Sequence, residues 1–169
     1  MTAMPDLTPA PAVATPELFR AVFRCHAAGV AVITAAGECP VGFTATSLTS
    51  VSAEPPLISF GVGTSSSSWP VLAGAEHVGV HLLGEHQREL AATFARSGAD
   101  RFGPSTDWSS GPEGVPLLAG VSAWLVCRVV TRVPAGDHRI VIAEVVAGAS
   151  SGAGRPLVYH QGRFTALRD

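Results

Sequence analysis

AWLVCRVVTRVPAGDHRIVIAEVV, residues 123 to 146, is the stretch on which the fold turns. Ala123, Leu125, Cys127 and Val129 alternate with Trp124, Val126, Arg128 and Val130. A period of two sends successive side chains to opposite faces of a strand. Val133-Pro134-Ala135-Gly136-Asp137 then supplies turn residues, and His138 to Val146 resumes a β-branched run. Two such runs around a Gly-containing turn predict an antiparallel hairpin.

Similar runs lie on both sides. Leu157 to His160 and Arg163 to Ala166 flank Gln161-Gly162, which predicts a final hairpin. GVAVIT (Gly29 to Thr34) and LISFGV (Leu57 to Val62) are apolar on both faces, as strands covered on both sides are. His77 to Leu83 alternates as a further strand, and the Thr- and Ser-rich segment Val41 to Ser52 reads as extended. Thr15-Pro16-Glu17 marks a helix start, with a hydroxyl cap, a first-turn Pro and a carboxylate near the positive end. The helix from Glu17 to His26 carries Leu18, Val22 and Phe23 on one face and is expected to pack on the core. A second amphipathic helix, Glu85 to Arg96, sets Leu90 and Phe94 one turn apart and stops near Gly98. Ser65 to Gly74 has room for a short helix. Gly103 to Gly120, rich in Gly, Pro and Ser, reads as a long surface loop. The expected fold is α+β and β-rich, a closed or nearly closed antiparallel barrel with a few short helices. Residues 1–15 read as a flexible arm and residues 16–169 as a single domain.

Composition narrows the chemistry. The 169 residues are 47% hydrophobic and 14% charged, enough to build a core without disulfides or a structural metal. So little charge leaves apolar surface over, which points to a partner subunit. A net charge of -2 argues against a nucleic-acid groove, which needs clustered cations. All eleven cationic side chains are Arg, so a P-loop, a pyridoxal Schiff base and a Lys general base are excluded. Three Cys without a CxxC pair read as free thiols. No apolar run reaches the length of a membrane span, and residues 1–16 lack the basic and hydrophobic parts of a signal peptide. A cytoplasmic protein is expected.

No GxGxxG opens a helix and no GxSxG elbow is present. His77 and His81 stand four apart on a strand pattern, without a carboxylate or Cys at ligand spacing, so no metal site is assigned. Three features remain. GFTATS (Gly42 to Ser47), continuing to Thr49-Ser50-Val51-Ser52, gathers hydroxyls and backbone amides. Thr64 and Ser65 to Ser68 stand before Trp69-Pro70 at an expected helix entry, a place suited to a phosphate. Gly136-Asp137-His138 sets an imidazole at the mouth of a strand, where it can bond and stack against a flat heterocycle. Each alone would also suit a solvated loop or a capped turn. Together, each abutting a buried strand, they suit a phosphorylated cofactor.

At these residues the chain resembles the flavin reductase-like family. GFTATSLTSVSAEPPL (Gly42 to Leu57) is similar to its G-x-T-A-N-S-F-T-S-V-S-x-x-P-P-L signature. FARSGADRF (Phe94 to Phe102), Trp124 to Cys127, GDHRIVIAEV (Gly136 to Val145) and PLVYHQGRF (Pro156 to Phe164) resemble further family motifs in the same order. The resemblance implies an FMN-binding split barrel, usually a homodimer, that oxidises NADH or NADPH and reduces FMN or FAD. The reduced flavin would pass to a separate flavin-dependent monooxygenase. Carried over by motif, Thr44, Ala45, Thr46 and Ser47 would contact the flavin ring or ribityl chain, with Ser50 and Ser52 beside them. Ser65, Ser66 and Ser68 would face the phosphate. Arg101, followed by Phe102, would sit near the phosphate or pyridine nucleotide, and His138 would orient the nicotinamide. Thr46 stands where the family usually has Asn, Ser67 and Thr64 where relatives are often basic, and Ala143 where Gly is usual. Two other readings of the same barrel stay open: a non-catalytic flavin-binding module, and an enzyme with tightly held FMN that reduces an organic substrate.

Overall fold

The computed structural model describes residues 10–152 and 154–167. Residues 1–9 of the expected arm, and residues 153, 168 and 169 of the expected domain, lie outside the described residues. Residues 10–15 are exposed and carry no regular structure.

Every strand pairing is antiparallel. In chain order the strands are β1 (Ala28–Gly29), β2 (Ala31–Ala35), β3 (Val41–Ala45), β4 (Thr49–Ala53), β5 (Pro56–Gly63), β6 (His77–Leu82), β7 (Trp108–Ser110), β8 (Pro116–Leu118), β9 (Ala123–Ala135), β10 (His138–Ser150), β11 (Leu157–His160) and β12 (Arg163–Ala166). Seven of them form one sheet in the order β3-β2-β6-β9-β10-β5-β4, with β1-β11-β12 and β7-β8 as smaller sheets. The two edge strands of the large sheet, β3 and β4, are neighbours in the chain. The short segment Thr46–Leu48 that joins them therefore carries the sheet back on itself and leaves a seam.

The core follows the period of two. Along β5, Ile58, Phe60 and Val62 are buried while Leu57, Ser59, Gly61 and Gly63 are turned outward. Ile33, Phe60, Leu72, Val78 and Val80 gather in one apolar cluster with Ala143, the residue where the family usually has Gly. Val32, Leu83, Phe94 and Leu157 build a second cluster under helix α3 (Arg88–Ala95). Burying side chains of this size is worth roughly 1.5–3 kcal/mol each. Gly42 lets α3 approach β3, since a Cβ there would stand 2.9 Å from Phe94 Cε1 and 2.8 Å from the Ile33 carbonyl oxygen.

The central hairpin is longer than its sequence pattern indicates. β9 and β10 run to Ala135 and from His138, so only Gly136 and Asp137 turn the chain, with Gly136 at φ 59°. Val41 to Ser52 is two strands and a corner rather than one extended segment. Gly103 to Gly120 is not simply a surface loop: it holds the β7-β8 hairpin, buries Val115 and Leu118, and its Pro116 carbonyl accepts from Thr34 Oγ1 at 2.7 Å. Its strands are three residues long, too short for alternation to register.

Helix α1 (Pro16–Arg24) is capped as expected, Leu18 N–H donating to Thr15 Oγ1 at 3.1 Å. It does not pack on the core. Phe19, Val22 and Phe23 are 62%, 58% and 55% exposed, and no α1 residue is buried. Amphipathic spacing specifies an apolar face, not the surface that covers it.

Candidate active site

Arg101 is the hub of one end of the site. Its Nη1 donates to the Gly42 carbonyl oxygen at 2.9 Å, to Ser67 Oγ at 3.2 Å and to Ser68 Oγ at 3.3 Å. Its Nη2 donates to the Arg96 carbonyl oxygen at 2.9 Å. One guanidinium thus ties β3, the serine loop and the end of α3 together. All four partners are neutral, and burial pushes the guanidinium pKa below its ordinary value. Its Nε is buried without a hydrogen-bond partner among the described residues. A desolvated cation held only by neutral groups favours an anion at its open side. Beside it lies a cleft of about 330 Å³ lined by Thr44, Ser65, Ser66, Ser67, Phe94 and Arg101.

The serine loop differs from its sequence reading. Helix α2 (Trp69–Leu72) is a single turn, and Ser68 at its start makes no side-chain cap. Ser68 is buried and donates instead to the Gly42 carbonyl oxygen at 3.0 Å. The expected helix entry is therefore not the source of positive potential at this loop; the guanidinium is. Ser65 and Ser66 face the cleft, whereas Ser68 is a strut behind it.

The other end is built on bare backbone. Gly61 and Gly63 share the outward face of β5. β4 leaves β5 after Ser59, so the Gly61 amide has no strand neighbour on that side. Ser47 replaces it: the Gly61 N–H donates to Ser47 Oγ at 2.9 Å, and Ser47 Oγ–H reaches the Gly61 carbonyl oxygen at 3.4 Å. Two residues on, Gly63 pairs with His138. A Cβ at Gly63 would stand 3.6 Å from His138 Nε2 and 3.9 Å from Ser65 Oγ, and one at Gly61 would stand 3.5 Å from Ser47 Oγ. The two glycines thus keep clear a flat shelf, on the order of 7 Å long, with a hydroxyl at one end and an imidazole at the other. His138 Nδ1–H donates to Asp137 Oδ1 at 2.7 Å, which turns Nε2 to the shelf. That bond, with the imidazole's charge second, holds the Asp137 carboxyl below its usual pKa.

The predicted residues separate into groups. Thr44, Ser65, Ser66 and Arg101 meet at the anion cleft, although the Thr44 hydroxyl is also engaged, donating to the Ala91 carbonyl oxygen at 2.6 Å. Thr46 and Ser47 line a second cleft of about 540 Å³ with Leu48, His26 and Tyr159. Ala45 is buried with its methyl in the core, so only its backbone can face a ligand. Ser50 and Ser52 lie on the edge strand β4, opposite Ile58 and Leu57, and border neither cleft. Phe102 is wedged between Phe94 and Trp108, with ring centroids 5.3 and 5.4 Å away. Thr64, grouped with Ser65 to Ser68 in the sequence, turns toward the rim instead and acts as a positioning residue. Its N–H and Oγ1–H both reach the Asp137 carbonyl oxygen, at 2.9 and 3.0 Å, and so fix the turn that carries His138. Among the described residues no group of His, Cys, Asp and Glu is arranged to hold a metal ion.

A phosphorylated heterocycle fits this arrangement, with the cation and hydroxyls for its phosphate and the glycine shelf for its plane. The model of the family described as flavin reductase like domain matches residues 23–168. The NADH:FMN oxidoreductase of Rhodococcus erythropolis is 44% identical, over 89% of this chain and 85% of that protein. The reductase component of the 4-nitrophenol 4-monooxygenase/4-nitrocatechol 2-monooxygenase of Rhodococcus opacus is 39% identical, over 86% and 78%. Among solved structures, the NADH:FAD oxidoreductase of Streptomyces globisporus, in complex with NAD and FAD fragments, has a TM-score of 0.87 at 33% identity, covering 94% of this chain and 98% of that one.

Proposed function

The chain belongs to the flavin reductase-like family, and from that premise we propose that it is an NAD(P)H-dependent flavin reductase that supplies reduced FMN or FAD to a partner monooxygenase. The observation that carries this reading is the glycine shelf between Ser47 and His138, one end of which meets the serine loop. The flavin supplies the two-electron acceptor when bound. Everything else falls to the chain. Arg101, Ser65 and Ser66 hold the phosphate, and Thr44, Thr46 and Ser47 offer hydroxyls along the seam. Gly61 and Gly63 let a ring approach the backbone. His138 Nε2, turned to the shelf by Asp137, would accept a hydrogen bond from the nicotinamide carboxamide and so orient it for hydride transfer. Hydride transfer requires the reacting atoms within about 3–3.5 Å, so orientation is the main service these residues perform. No side chain need act as a nucleophile. His138 is open to solvent, which suits a site where one substrate leaves before the next arrives.

The reading extends to assembly. The exposed Phe19, Val22 and Phe23 of α1 lie beside the cleft that Thr46 and Ser47 line, since Phe23 borders it as well. Covering that face with a second copy would bury this apolar surface and close the cleft, which supports a homodimer. No described helix is long and apolar enough to cross a membrane. A cytoplasmic location accords with that and with a soluble flavin as product.

The experiment is to follow NADH and NADPH oxidation by the purified protein with and without FMN or FAD. Rapid oxidation that depends on added flavin is expected. A firmly yellow protein that oxidises the nucleotide only with an organic acceptor would instead indicate a retained flavin. Binding of flavin without oxidation would leave a non-catalytic module.

A further inference from the structure

Where the last hairpin meets α3, a cleft of about 430 Å³ is lined by Arg88, His160, Gln161, Arg163, Phe164 and Thr165. It shares no lining residue with the anion cleft beside Arg101 or with the cleft of Thr46 and Ser47. β11 and β12 pair His160 directly with Arg163, and Thr165 continues the Arg163 face. The turn between them is held in place. Gln161, at φ 49°, donates its N–H to the Arg24 carbonyl oxygen at 3.0 Å and accepts from Arg24 Nη2 at 3.4 Å. Arg88 comes from the other side as the first residue of α3, a helix end where a cation is disfavoured. Phe164, packed on the apolar cluster under α3, supplies an apolar wall.

The charge here is unbalanced. No described carboxylate lines the cleft. Among the described residues, the side chains of Arg88, His160 and Arg163 take part in no ion pair or hydrogen bond. Glu85 and Glu89 are near Arg88 in the chain, yet neither pairs with it. Elsewhere the guanidinium groups are engaged: Arg20 and Arg128 pair with glutamates, and Arg101 and Arg132 donate to carbonyl oxygens. Cations gathered in a concave place without counter-charge favour an anionic ligand.

We propose that this cleft binds the phosphate group of a small phosphomonoester other than the flavin and nicotinamide nucleotides. Two guanidinium forks and an imidazole offer more donors than the two oxygens of one carboxylate can use, and the three free oxygens of a phosphomonoester suit them. The volume is in the range of small-molecule sites, which leaves room for the ester group against Phe164. The site does not depend on the reductase reading.

The test is an NMR titration of the nitrogen-15-labelled full chain with phenyl phosphate, in phosphate-free buffer at constant ionic strength. Saturable shifts of the amides of residues 88 and 160–165 are expected, and phenol, which lacks the phosphate, should leave them in place. Arg88→Gln and Arg163→Gln should each raise the dissociation constant about fivefold. Both side chains are exposed and unpartnered, so the unfolding midpoint should stay at the wild-type value. Shifts that never saturate, or binding that ignores both substitutions, overturn the proposal. So does displacement of phenyl phosphate by FMN, FAD or NADPH, which would give the cleft to the nucleotides. A hexaglutamate peptide that moves the same amides at lower concentration than phenyl phosphate would also overturn it, and would make this a protein-docking surface.

Discussion

His81 and His138 stand on two strands of the same seven-stranded sheet and do opposite things with the same ring. His81 is in the middle of β6, between Val32 and Trp124 of the neighbouring strands, and is 0% exposed. Its Nδ1–H donates to the Val32 carbonyl oxygen at 3.0 Å, while Nε2 is buried without a hydrogen-bond partner among the described residues. Burial lowers its pKa to about 4, with the bond to Val32 opposing in part. His138 begins β10 at the open rim, its Nδ1 tied to Asp137 and its Nε2 facing Gly63. The internal ring is a neutral packing element; the rim ring has a free nitrogen over a surface that glycines keep bare. Chemistry in this barrel depends on where a strand ends, not on which residue it carries.

The largest effect expected from this contrast is on stability in acid. The folded pKa of His81, about 4, is below the ordinary 6.5 of the unfolded chain, so between those values the unfolded state binds more protons. The stability linked to His81 is complete above pH 6.5 and is lost as the pH falls toward 4. At 1.36 kcal/mol per pKa unit the loss is about 3 kcal/mol. Urea unfolding followed from pH 7 down to pH 5, above the ordinary carboxylate pKa values, should show more than half of this loss. His81→Leu should flatten it. A wild-type curve that is already flat would mean that His81 is charged inside the sheet, and the contrast would fail.

The next effect is on catalysis. His138→Ala removes the exposed ring and no buried contact, so unfolding should be unchanged. The nicotinamide constant should rise, or flavin reduction slow, by about tenfold, which corresponds to about 1.4 kcal/mol. The dissociation constants for FMN and FAD should stay near wild type, because in the proposed reading Arg101 and the serine loop, not His138, hold the phosphate. Unaltered kinetics, or loss of flavin binding, would remove His138 from the hydride site.

Much of the architecture was legible because hairpins announce themselves locally. Gly136-Asp137 and Gln161-Gly162 each lie between alternating runs, and the strands they join are where the pattern puts them. The site was legible as motifs and not as geometry. Arg101 meets Gly42 across 59 positions of chain, and Ser47 crosses the seam to Gly61, contacts that no spacing encodes. The serine loop looked like a helix entry because Trp69-Pro70 follows it, yet α2 ends after one turn at Ala73. The two long helices were read by the same rule. It succeeded for α3, whose Ala91 and Phe94 are buried, and failed for α1, none of whose residues is buried although Phe23 borders the cleft that Thr46 and Ser47 line. Periodicity measures the face; only the fold or a second copy supplies its cover.

Thr64 is where the smallest of these effects, and the sharpest test of the rim, is expected. Its backbone N–H holds the Asp137 carbonyl oxygen in any variant, so Thr64→Val removes only the second bond, from Oγ1 at 3.0 Å, at nearly constant volume. An exposed hydrogen bond of this kind contributes roughly 0.5–1.5 kcal/mol. Part of that becomes misalignment of the turn, so the nicotinamide constant should rise about two- to fivefold. Flavin affinity and the acid unfolding slope should not move, since Thr64 touches neither Arg101 nor His81. Thr64→Ser, which keeps the donor, should return the constant to the wild-type value. A Val variant that behaves as wild type would show that the backbone bond alone holds the turn. A variant that loses flavin would show instead that the rim and the phosphate end are one mechanical unit rather than two.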